Sequence, residues 1–336
     1  MKFFTFGSKD IGIDLGTANI LVTLKGKGVI LQEPSVVAID RKTGNIMATG
    51  TEAKEMLGRT PEQIKAVRPL KDGVIADFTA TQLMLKNIIE KVGRRYNIGR
   101  PRVVVGVPSG ITEVEERAVE ESVLQAGAKE VYLIEEPMAA AIGAALDVGE
   151  PSGNIIVDIG GGTTEVAVIS LGGIVVSHSL RVAGDELDDD IVNYIKREMN
   201  LAVGETTAEQ IKTQIGCALP LMTETTVEVR GRDLTDGLPR TEKISSSQVE
   251  EAIKESITKI VEIVKLTLAS DIMEKGIVLA GGGALIKNLD KLLSTETGMP
   301  VYIAEDPLEC VVRGTGKTLE DLERLKTVLI NARKRR

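Results

Sequence analysis

Residues 154–171 read NIIVDIGGGTTEVAVISL, and residues 11–24 read IGIDLGTANILVTL. Each stretch runs from apolar residues through an aspartate and a glycine turn with hydroxyl residues into a second apolar strand. The two aspartates, Asp14 and Asp158, lie 144 positions apart. Solenoid proteins repeat every ~20–50 residues, so this domain-sized separation predicts an internal duplication of one folding unit.

The remainder of the chain alternates between strand-like and helix-like patterns. A strand-like run, VVVGVPSG, at 103–110 leads into a helical stretch. Residues 249–268 place apolar side chains at steps of three and four, which predicts an amphipathic helix with its N-cap among residues 245–247. This alternation predicts an α/β fold with layered sheets. Residues 34–73 and 184–245 contain no phosphate-type glycine turn and are interpreted as two insertions in the duplicated core.

Composition narrows the function classes. A chain of 336 residues predicts about two domains of ~150 residues. The net charge of −8 argues against nucleic acid as the main partner. Two distant cysteines, Cys217 and Cys310, indicate neither a disulfide framework nor a metal site, which fits a reducing cytosol. His178 is interpreted as structural. There is no apolar run of ~18 residues for a spanning helix and no signal peptide.

The two aspartate-headed turns have a chemical use. Glycine lets the backbone approach a phosphate, and successive backbone N–H groups form an anion-binding concavity. An aspartate at the end of a strand can hold a hydrated Mg²⁺. Two such hairpins facing each other would clamp a polyphosphate and its metal. Taken singly, either motif could be an ordinary hairpin turn, and neither is a Walker A or a dinucleotide-binding motif.

Two further segments complete the set of candidates. The turn of Gly281, Gly282 and Gly283 follows a buried strand and precedes a helix, which suits close approach by a base or a sugar. The alternative is a tight strand–helix connection. Glu136 precedes Pro137 at a predicted helix start, where it could orient a water molecule. The alternative is an acidic residue that complements the helix dipole.

These motifs occur in an order that resembles a known family. The segments IGIDLGTAN, EPSVVAID, RPLKDGVIADF, VVVGVPSGIT, LIEEPMAAAIGA, RVAGDELDDDIV, GETTAEQIK, GRDLTDGLPR and LAGGGALIKNLD, with the second aspartate turn, resemble the MreB family over nearly the whole chain. That family belongs to the superfamily of actin, sugar kinases and heat-shock chaperone ATPases. The resemblance implies an actin-like α/β fold, with duplicated ribonuclease-H-like core domains and two smaller inserted subdomains around a nucleotide cleft.

The resemblance also implies subdomain boundaries and a ligand set. Subdomain IA would comprise 1–33, 74–141 and 312–336, IB 34–73, IIA 142–183 and 246–311, and IIB 184–245. ATP and Mg²⁺ are the implied cofactors, with Asp14 and Asp158 organising the metal. Hydrolysis would use Glu136, Thr163 and Asp158. The implied nucleotide contacts are Gly16, Thr17, Ala18 and Asn19 in the first phosphate turn, Gly160, Gly161, Gly162 and Thr163 in the second, Glu209 and Lys212 at the ribose and base, and Gly281, Gly282, Gly283 and Leu285 at the adenosine.

Without the resemblance, Glu209 and Lys212 would be interpreted as a solvated pair on one helix face. With it, the chain is expected to polymerise with itself into membrane-associated filaments, to hydrolyse ATP slowly and to direct cell-wall synthesis that maintains rod shape. The implied partners are the cytoplasmic face of the membrane and the wall-elongation proteins MreC, MreD and RodZ, with no nucleic acid. The implied location is the cytoplasm, peripherally on the inner face of the membrane.

The predicted membrane contacts are Phe3, Phe4 and Phe6, flanked by basic residues that would face anionic headgroups, and Ile98 in a loop. The alternative is that the three rings dock on the protein's own core. Two segments, 217–229 and 266–272, are shorter than the family pattern. Two other functions use the same core. A sugar or acetate-type kinase would need a substrate pocket, and a chaperone module would need a substrate-binding domain, which is not expected after Arg336.

Overall fold

The structure, a computed structural model, describes residues 9–268 and 273–330. The chain divides into two compact units. The first unit comprises residues up to 149, residues 171–173 and residues from 309 onward. The second comprises 150–170 and 174–308. The predicted anchor residues Phe3, Phe4 and Phe6 lie outside the described residues, and so does part of the shortened segment 266–272.

The strands and helices follow in chain order. The strands are β1 (Ile11–Leu15), β2 (Asn19–Leu24), β3 (Gly28–Pro34), β4 (Val37–Asp40), β5 (Ile46–Thr49), β6 (Ile64–Val67), β7 (Leu70–Lys71), β8 (Val74–Ile75), β9 (Arg102–Val107), β10 (Glu130–Glu135), β11 (Gly153–Ile159), β12 (Thr164–Ser170), β13 (Gly173–Leu180), β14 (Leu201–Ala202), β15 (Thr226–Asp233), β16 (Pro239–Ser245), β17 (Met273–Ala280) and β18 (Val301–Ile303). The α-helices are α1 (Thr51–Met56), α2 (Phe78–Tyr96), α3 (Glu113–Gln125), α4 (Glu136–Gly143), α5 (Gly184–Met199), α6 (Glu205–Ile215), α7 (Ser246–Thr267), α8 (Leu289–Thr297) and α9 (Cys310–Glu320). Short 3-10 turns cover Gly282–Leu285, Pro307–Glu309 and Arg324–Val328.

The first unit is built on a five-stranded sheet in the order β10-β9-β1-β2-β3. Strands β1 and β2 form an antiparallel hairpin, whereas β1, β9 and β10 are parallel. Apolar side chains of β1 and β9 form one buried core with those of α2 and α3. A small sheet, β5-β4-β6, and the pair β7-β8 complete the unit.

The second unit repeats this topology with a sheet in the order β13-β12-β11-β17-β18. Strands β11 and β12 form the antiparallel hairpin, and β11, β17 and β18 are parallel. A small sheet, β14-β15-β16, lies within the second segment that the sequence marked as an insertion. Each aspartate turn therefore joins the first two strands of an equivalent sheet, which confirms the predicted duplication.

Local sequence signals set the ends of the long helices. The side chain of Ser245 accepts a hydrogen bond from the backbone N–H of Gln248, and the Gln248 side chain accepts one from the backbone N–H of Ser245. This capping box starts α7, as predicted. The predicted apolar face of α7 is buried, including Val249, Ile253 and Ile260. Helix α3 begins with a second capping box, between Thr112 and Glu115.

The predicted role of His178 fits the structure, because its Nδ1 lies 3.1 Å from the hydroxyl of Thr267 in the second unit. Both cysteines are free thiols and buried. None of the helices in the described part of the chain combines the length and the apolar composition that a bilayer span requires.

Helices α4 and α9 of the first unit are in direct backbone contact. A Cβ atom on Gly314 would overlap the backbone carbonyl of Ala139, and one on Gly143 would overlap that of Cys310. The alanines of α4 are fully buried, as expected for closely packed helices. The pair therefore depends on glycine in both helices.

Replacing Gly314 with alanine should destabilise the first unit, because the added methyl group has no space. Overpacking of this kind costs about 1–3 kcal/mol, which lowers the midpoint of thermal unfolding by roughly 3–10 °C for a unit of this size. Circular dichroism during heating measures the shift. Gly99→Ala is the matched control, since a Cβ there meets no atom within 4 Å. Equal midpoints for the two variants would contradict the packing described.

Candidate functional site

In the first unit, candidate residues gather at the carboxyl ends of parallel strands. Asp14 of β1 pairs with Gly106 of β9, and β10 ends immediately before Glu136, the first residue of α4. A Cβ placed on Gly106 would lie 3.5 Å from Cγ of Glu136. The structure thus brings Asp14 and Glu136 to one edge of the sheet, where ligands of α/β proteins commonly bind.

The first glycine turn is held from outside by hydrogen bonds. The Ser35 hydroxyl donates to the carbonyl of Gly16 at 2.6 Å, and the Gly73 N–H donates to the Thr17 hydroxyl at 3.0 Å. The backbone N–H of Ser35 also donates to the carbonyl of Ala18. Sequence reasoning missed Ser35 and Gly73 as supports, although both lie in segments that resemble the family. These contacts fix which way the turn's peptide groups point.

The surroundings of Asp14 perturb the ionisation of its carboxyl group. Its carboxylate is partly buried, and burial raises the pKa of Asp14 to about 7. Desolvation disfavours the ionised form of a carboxylate, and a bound cation reverses that effect. The position therefore fits the predicted metal-organising role.

Glu136 lies in the first turn of α4 and is half-buried. Pro137 follows it, as is favoured at a helix start. A helix N-terminus attracts negative charge, so the dipole interpretation and the water-orienting interpretation both remain compatible with this position.

In the second unit, the second glycine turn contacts the N-terminus of α5. The N–H of Gly184 donates to the carbonyl of Gly160 at 3.1 Å, and the N–H of Asp185 donates to that of Gly161 at 2.7 Å. Within the turn, the N–H of Gly160 donates to the carbonyl of Thr163 at 2.9 Å. The turn is thus fixed both internally and by a helix.

The third glycine turn lies directly against the end of β11. Asp158 pairs with Ala280 of β17, the residue before the turn. Gly281 has φ of 76° and ψ of 171°, and a Cβ there would lie 2.5 Å from Oδ1 of Asp158. The three glycines therefore belong at the same sheet edge as Asp158, and Leu285, at the end of the 3-10 turn that follows, is exposed.

Glu209 and Lys212 lie one turn apart on α6, and Lys212 reaches α5. Its ammonium group donates to the carbonyl of Gly184 at 2.5 Å and forms an ion pair with Asp188 at 2.9 Å. Sequence reasoning missed Asp188. The sequence signal that could have indicated Asp188 was its spacing of four residues from Gly184, which places both residues on one face of α5.

The predicted residues thus form two groups, one in each unit. Asp14, Glu136 and residues 16–19 belong to the first, and the remaining nucleotide-site candidates belong to the second. The proposed membrane residue Ile98 belongs to neither. It is partly buried and packs on the core of the first unit, so the fold already uses much of its apolar surface.

A mixed sheet that occurs twice, each time with a carboxylate and a glycine turn at its carboxyl edge, defines the class of actin-like proteins. MreB5 of Spiroplasma citri bound to ADP superposes with a TM-score of 0.89 at 41% identity, covering 95% of this chain and 98% of that one. Its form bound to AMPPNP gives 0.88 at 40% identity, with the same coverage. The MamK double helical filament, at 22% identity and a TM-score of 0.78, supports the fold alone.

Sequence comparison gives the particular family. The MreB/Mbl protein family model matches residues 8–327. The cell shape-determining protein MreB of Escherichia coli K12 is 54% identical, with 96% of both chains covered. Mbl of Bacillus subtilis 168 is 49% identical, with 95% of this chain and 98% of that protein covered. The chain belongs to the MreB/Mbl family of cell shape-determining, actin-like cytoskeletal proteins.

Substituting Gly281 with alanine should distort the third turn. Its positive φ already disfavours a side chain, and the new methyl group would overlap the end of β11. We expect thermal unfolding to begin at least about 5 °C lower than in the parent protein. Gly298→Ala is the matched control, because Gly298 also has a positive φ but no atom within 4 Å of its Cβ position. If both variants lowered the unfolding temperature equally, the close contact with Asp158 would not contribute to the stability of the turn.

Proposed function

We propose that this protein binds ATP, polymerises into filaments, hydrolyses the nucleotide slowly and thereby directs wall synthesis that maintains cell shape. The observation that carries the proposal is the repetition, in both units, of a carboxylate and a fixed glycine turn at the carboxyl edge of the sheet. The relatives solved with ADP and AMPPNP support the same ligand class.

The proposed nucleotide contacts keep the assignment made from the sequence. Residues 16–19 and 160–163 would contact the phosphates, residues 281–283 with Leu285 would face the adenosine, and Glu209 and Lys212 would approach the ribose and base. The hydrogen bonds that hold each phosphate turn support this role, since donors aimed in advance cost no reorganisation when the anion binds.

Asp14 and Asp158 are proposed to organise Mg²⁺ through its water ligands. The raised pKa of Asp14, which is caused by burial, supports a cation partner. The described residues include no group of three or more side chains placed as metal ligands. Mg²⁺ in phosphate sites commonly uses one or two carboxylates together with phosphate oxygens and water. When bound, Mg²⁺ supplies charge neutralisation for the phosphates.

The chain's own residues would then perform little covalent chemistry. Glu136, assisted by the Thr163 hydroxyl, would hold a water in line with the terminal phosphate and accept the proton that this water loses on attack. The glycine turns stabilise the negative charge that spreads over the phosphate oxygens. Because such catalysis depends on positioning, we expect slow turnover that is coupled to polymerisation.

Membrane association and wall-synthesis partners belong to the same proposal. Phe3, Phe4 and Phe6 are large apolar groups close to Lys2 and Lys9 in the sequence. One short anchor binds weakly, so filaments would supply the avidity. The membrane's cytoplasmic face and the proteins MreC, MreD and RodZ remain the proposed partners. A location in the cytoplasm, peripheral to the membrane, follows from this proposal.

Phosphate release tests the site assignment. Glu136→Ala should lower the rate of ATP hydrolysis at least about 100-fold while the affinity for ATP changes little, because only the water loses its orienting group. Asp158→Ala should instead weaken binding of the Mg–nucleotide at least about tenfold. Colorimetric phosphate release and calorimetric titration measure the two effects.

Glu62→Ala, at an exposed position in a loop, is the control and should behave like the parent protein. Unchanged phosphate release in both site variants would contradict the assignment. Sedimentation with ATP tests polymerisation in the same samples. Transfer of phosphate to sugars or acetate, without ATP-dependent sedimentation, would favour the kinase alternative.

Binding to liposomes tests the anchor. Replacing Phe3, Phe4 and Phe6 with serine keeps length and charge but removes the apolar groups, so co-sedimentation with anionic liposomes should fall at least about tenfold. Deleting residues 2–8 should have at least the same effect. Retention of full binding by both variants would show that the terminus is not the anchor.

A further inference from the structure

Lys212 joins α6, which carries two of the predicted nucleotide contacts, to α5, whose N-terminus holds the second glycine turn. It extends from α6 to α5, where both of its acceptors lie on one helix face, the carbonyl of Gly184 and the carboxylate of Asp188. The side chains of Lys212 and Asp188 are only 13% and 9% exposed. This is a largely buried ion pair between two helices, not the solvated pair that sequence spacing alone would suggest.

Gly184 connects that ion pair to the second glycine turn. Its own N–H and the N–H of Asp185 donate to the carbonyls of Gly160 and Gly161. In a planar trans peptide, the carbonyl of one residue and the N–H of the next point to opposite sides. Fixing these two carbonyls on α5 therefore directs the N–H groups of Gly161 and Gly162 away from α5, as an anion-binding turn requires.

The space around Gly184 shows how closely these parts are fitted. A Cβ on Gly184 would lie 3.1 Å from the carbonyl oxygen of Gly160, 3.3 Å from Nζ of Lys212 and 3.4 Å from Cα of Gly161. The turn, the start of α5 and the lysine thus meet at one point. A displacement of the lysine would be transmitted to the turn through a single residue.

Burying the Asp188 carboxylate costs free energy that a purely structural role would not explain. Its oxygen Oδ1 is buried and makes no hydrogen bond within the part of the chain that the structure describes. Burial raises the pKa of Asp188 to about 6 despite the opposing Lys212 ammonium, and the carboxylates of Glu209 and Asp185 raise it further. Buried ion pairs of this kind seldom add net stability, so a positioning role explains this pair better than a stabilising one.

We propose that Asp188 is a positioning residue of the nucleotide site, which holds Lys212 on the carbonyl of Gly184 and thereby fixes the orientation of the second phosphate turn. An ammonium group has three N–H donors. Two are directed to Gly184 and Asp188, so the third is aimed by the other two and is available to the nucleotide. The inference rests on the proposed binding of nucleotide by this unit.

The test compares ADP affinity of the full chain with Mg²⁺ present, by calorimetric titration. Asp188→Asn keeps the size of the side chain and removes its charge. We expect the Kd for ADP to rise about tenfold at pH 7.5, the size of effect that loss of a charge-assisted contact produces. Asp190→Asn is the matched control. Asp190 lies on the same helix and is also partly buried with a raised pKa, but Ser256 and Lys259 of α7 are its neighbours.

The pH dependence separates this role from a general loss of structure. The charged groups facing Asp188 are Lys212 and Glu209 on α6 and Asp185 on its own helix. Below about pH 6 the parent protein protonates Asp188 and loses the ion pair. Because about a quarter of Asp188 is still ionised at pH 5.5, the ratio of the Asp188→Asn Kd to the parent Kd should fall from about ten at pH 7.5 to about three at pH 5.5. Using the ratio cancels titration of the nucleotide and of Asp14, which both proteins share.

A double-mutant cycle identifies the partner. If Asp188 acts through Lys212, Asp188→Asn should change the Kd less than threefold once Lys212→Met is present. Asp188→Glu, which keeps the charge, should retain affinity within about threefold of the parent. If Asp188→Asn does not fold, as judged by circular dichroism, Lys212→Gln replaces it. The ratio of its Kd to the parent Kd must also fall as the pH is lowered.

The outcomes are distinct. Failure of the parent protein to bind ADP would overturn the proposed function. Normal binding by the parent with equal affinity in Asp188→Asn at pH 7.5 would overturn only this inference. An equal loss in Asp190→Asn, or a Kd ratio that does not change with pH, would also overturn it.

Discussion

Contact between backbone segments, at positions where any side chain would overlap its neighbour, is the constraint on which this structure depends. Gly314 and Gly143 allow α4 and α9 to touch, and Gly281 allows the third turn to lie against Asp158. Interiors packed at this density respond to the addition of one methyl group. The same closeness fixes the peptide groups of the turns, so the geometry that holds each unit together also aims its proposed ligand contacts.

Two carboxylates, those of Asp14 and Asp188, lie at positions where a negative charge adds little to the stability of the fold. Burial raises the pKa values of Asp14 to about 7 and of Asp188 to about 6. Ionised carboxylates in such positions weaken a fold unless a cation or a donor compensates them. Asp188 has Lys212 for this purpose, and Asp14 is proposed to have a metal ion. Perturbed carboxylates that lie beside glycine turns are typical of functional sites.

Membership of the MreB/Mbl family agrees with the duplicated sheets and with the placement of the turns. The family assignment alone does not say how a particular lysine is oriented. Here Lys212 is held by α5, which makes its contact with a nucleotide depend on a second residue. Ile98 is a second residue whose environment the family assignment does not reveal. It lies in a loop proposed to touch the membrane, yet it packs on the core of its own unit.

The sequence by itself determined the α/β class, the duplication and the start of α7, because apolar periodicity, glycine turns and capping residues act over a few positions. It also marked the candidate residues of each unit through their resemblance to a family. Only the tertiary structure decided that Ser35 and Gly73 hold the first turn and that Asp188 holds Lys212. Those contacts join residues up to 56 positions apart, and no local pattern encodes which distant side chain will meet which backbone group.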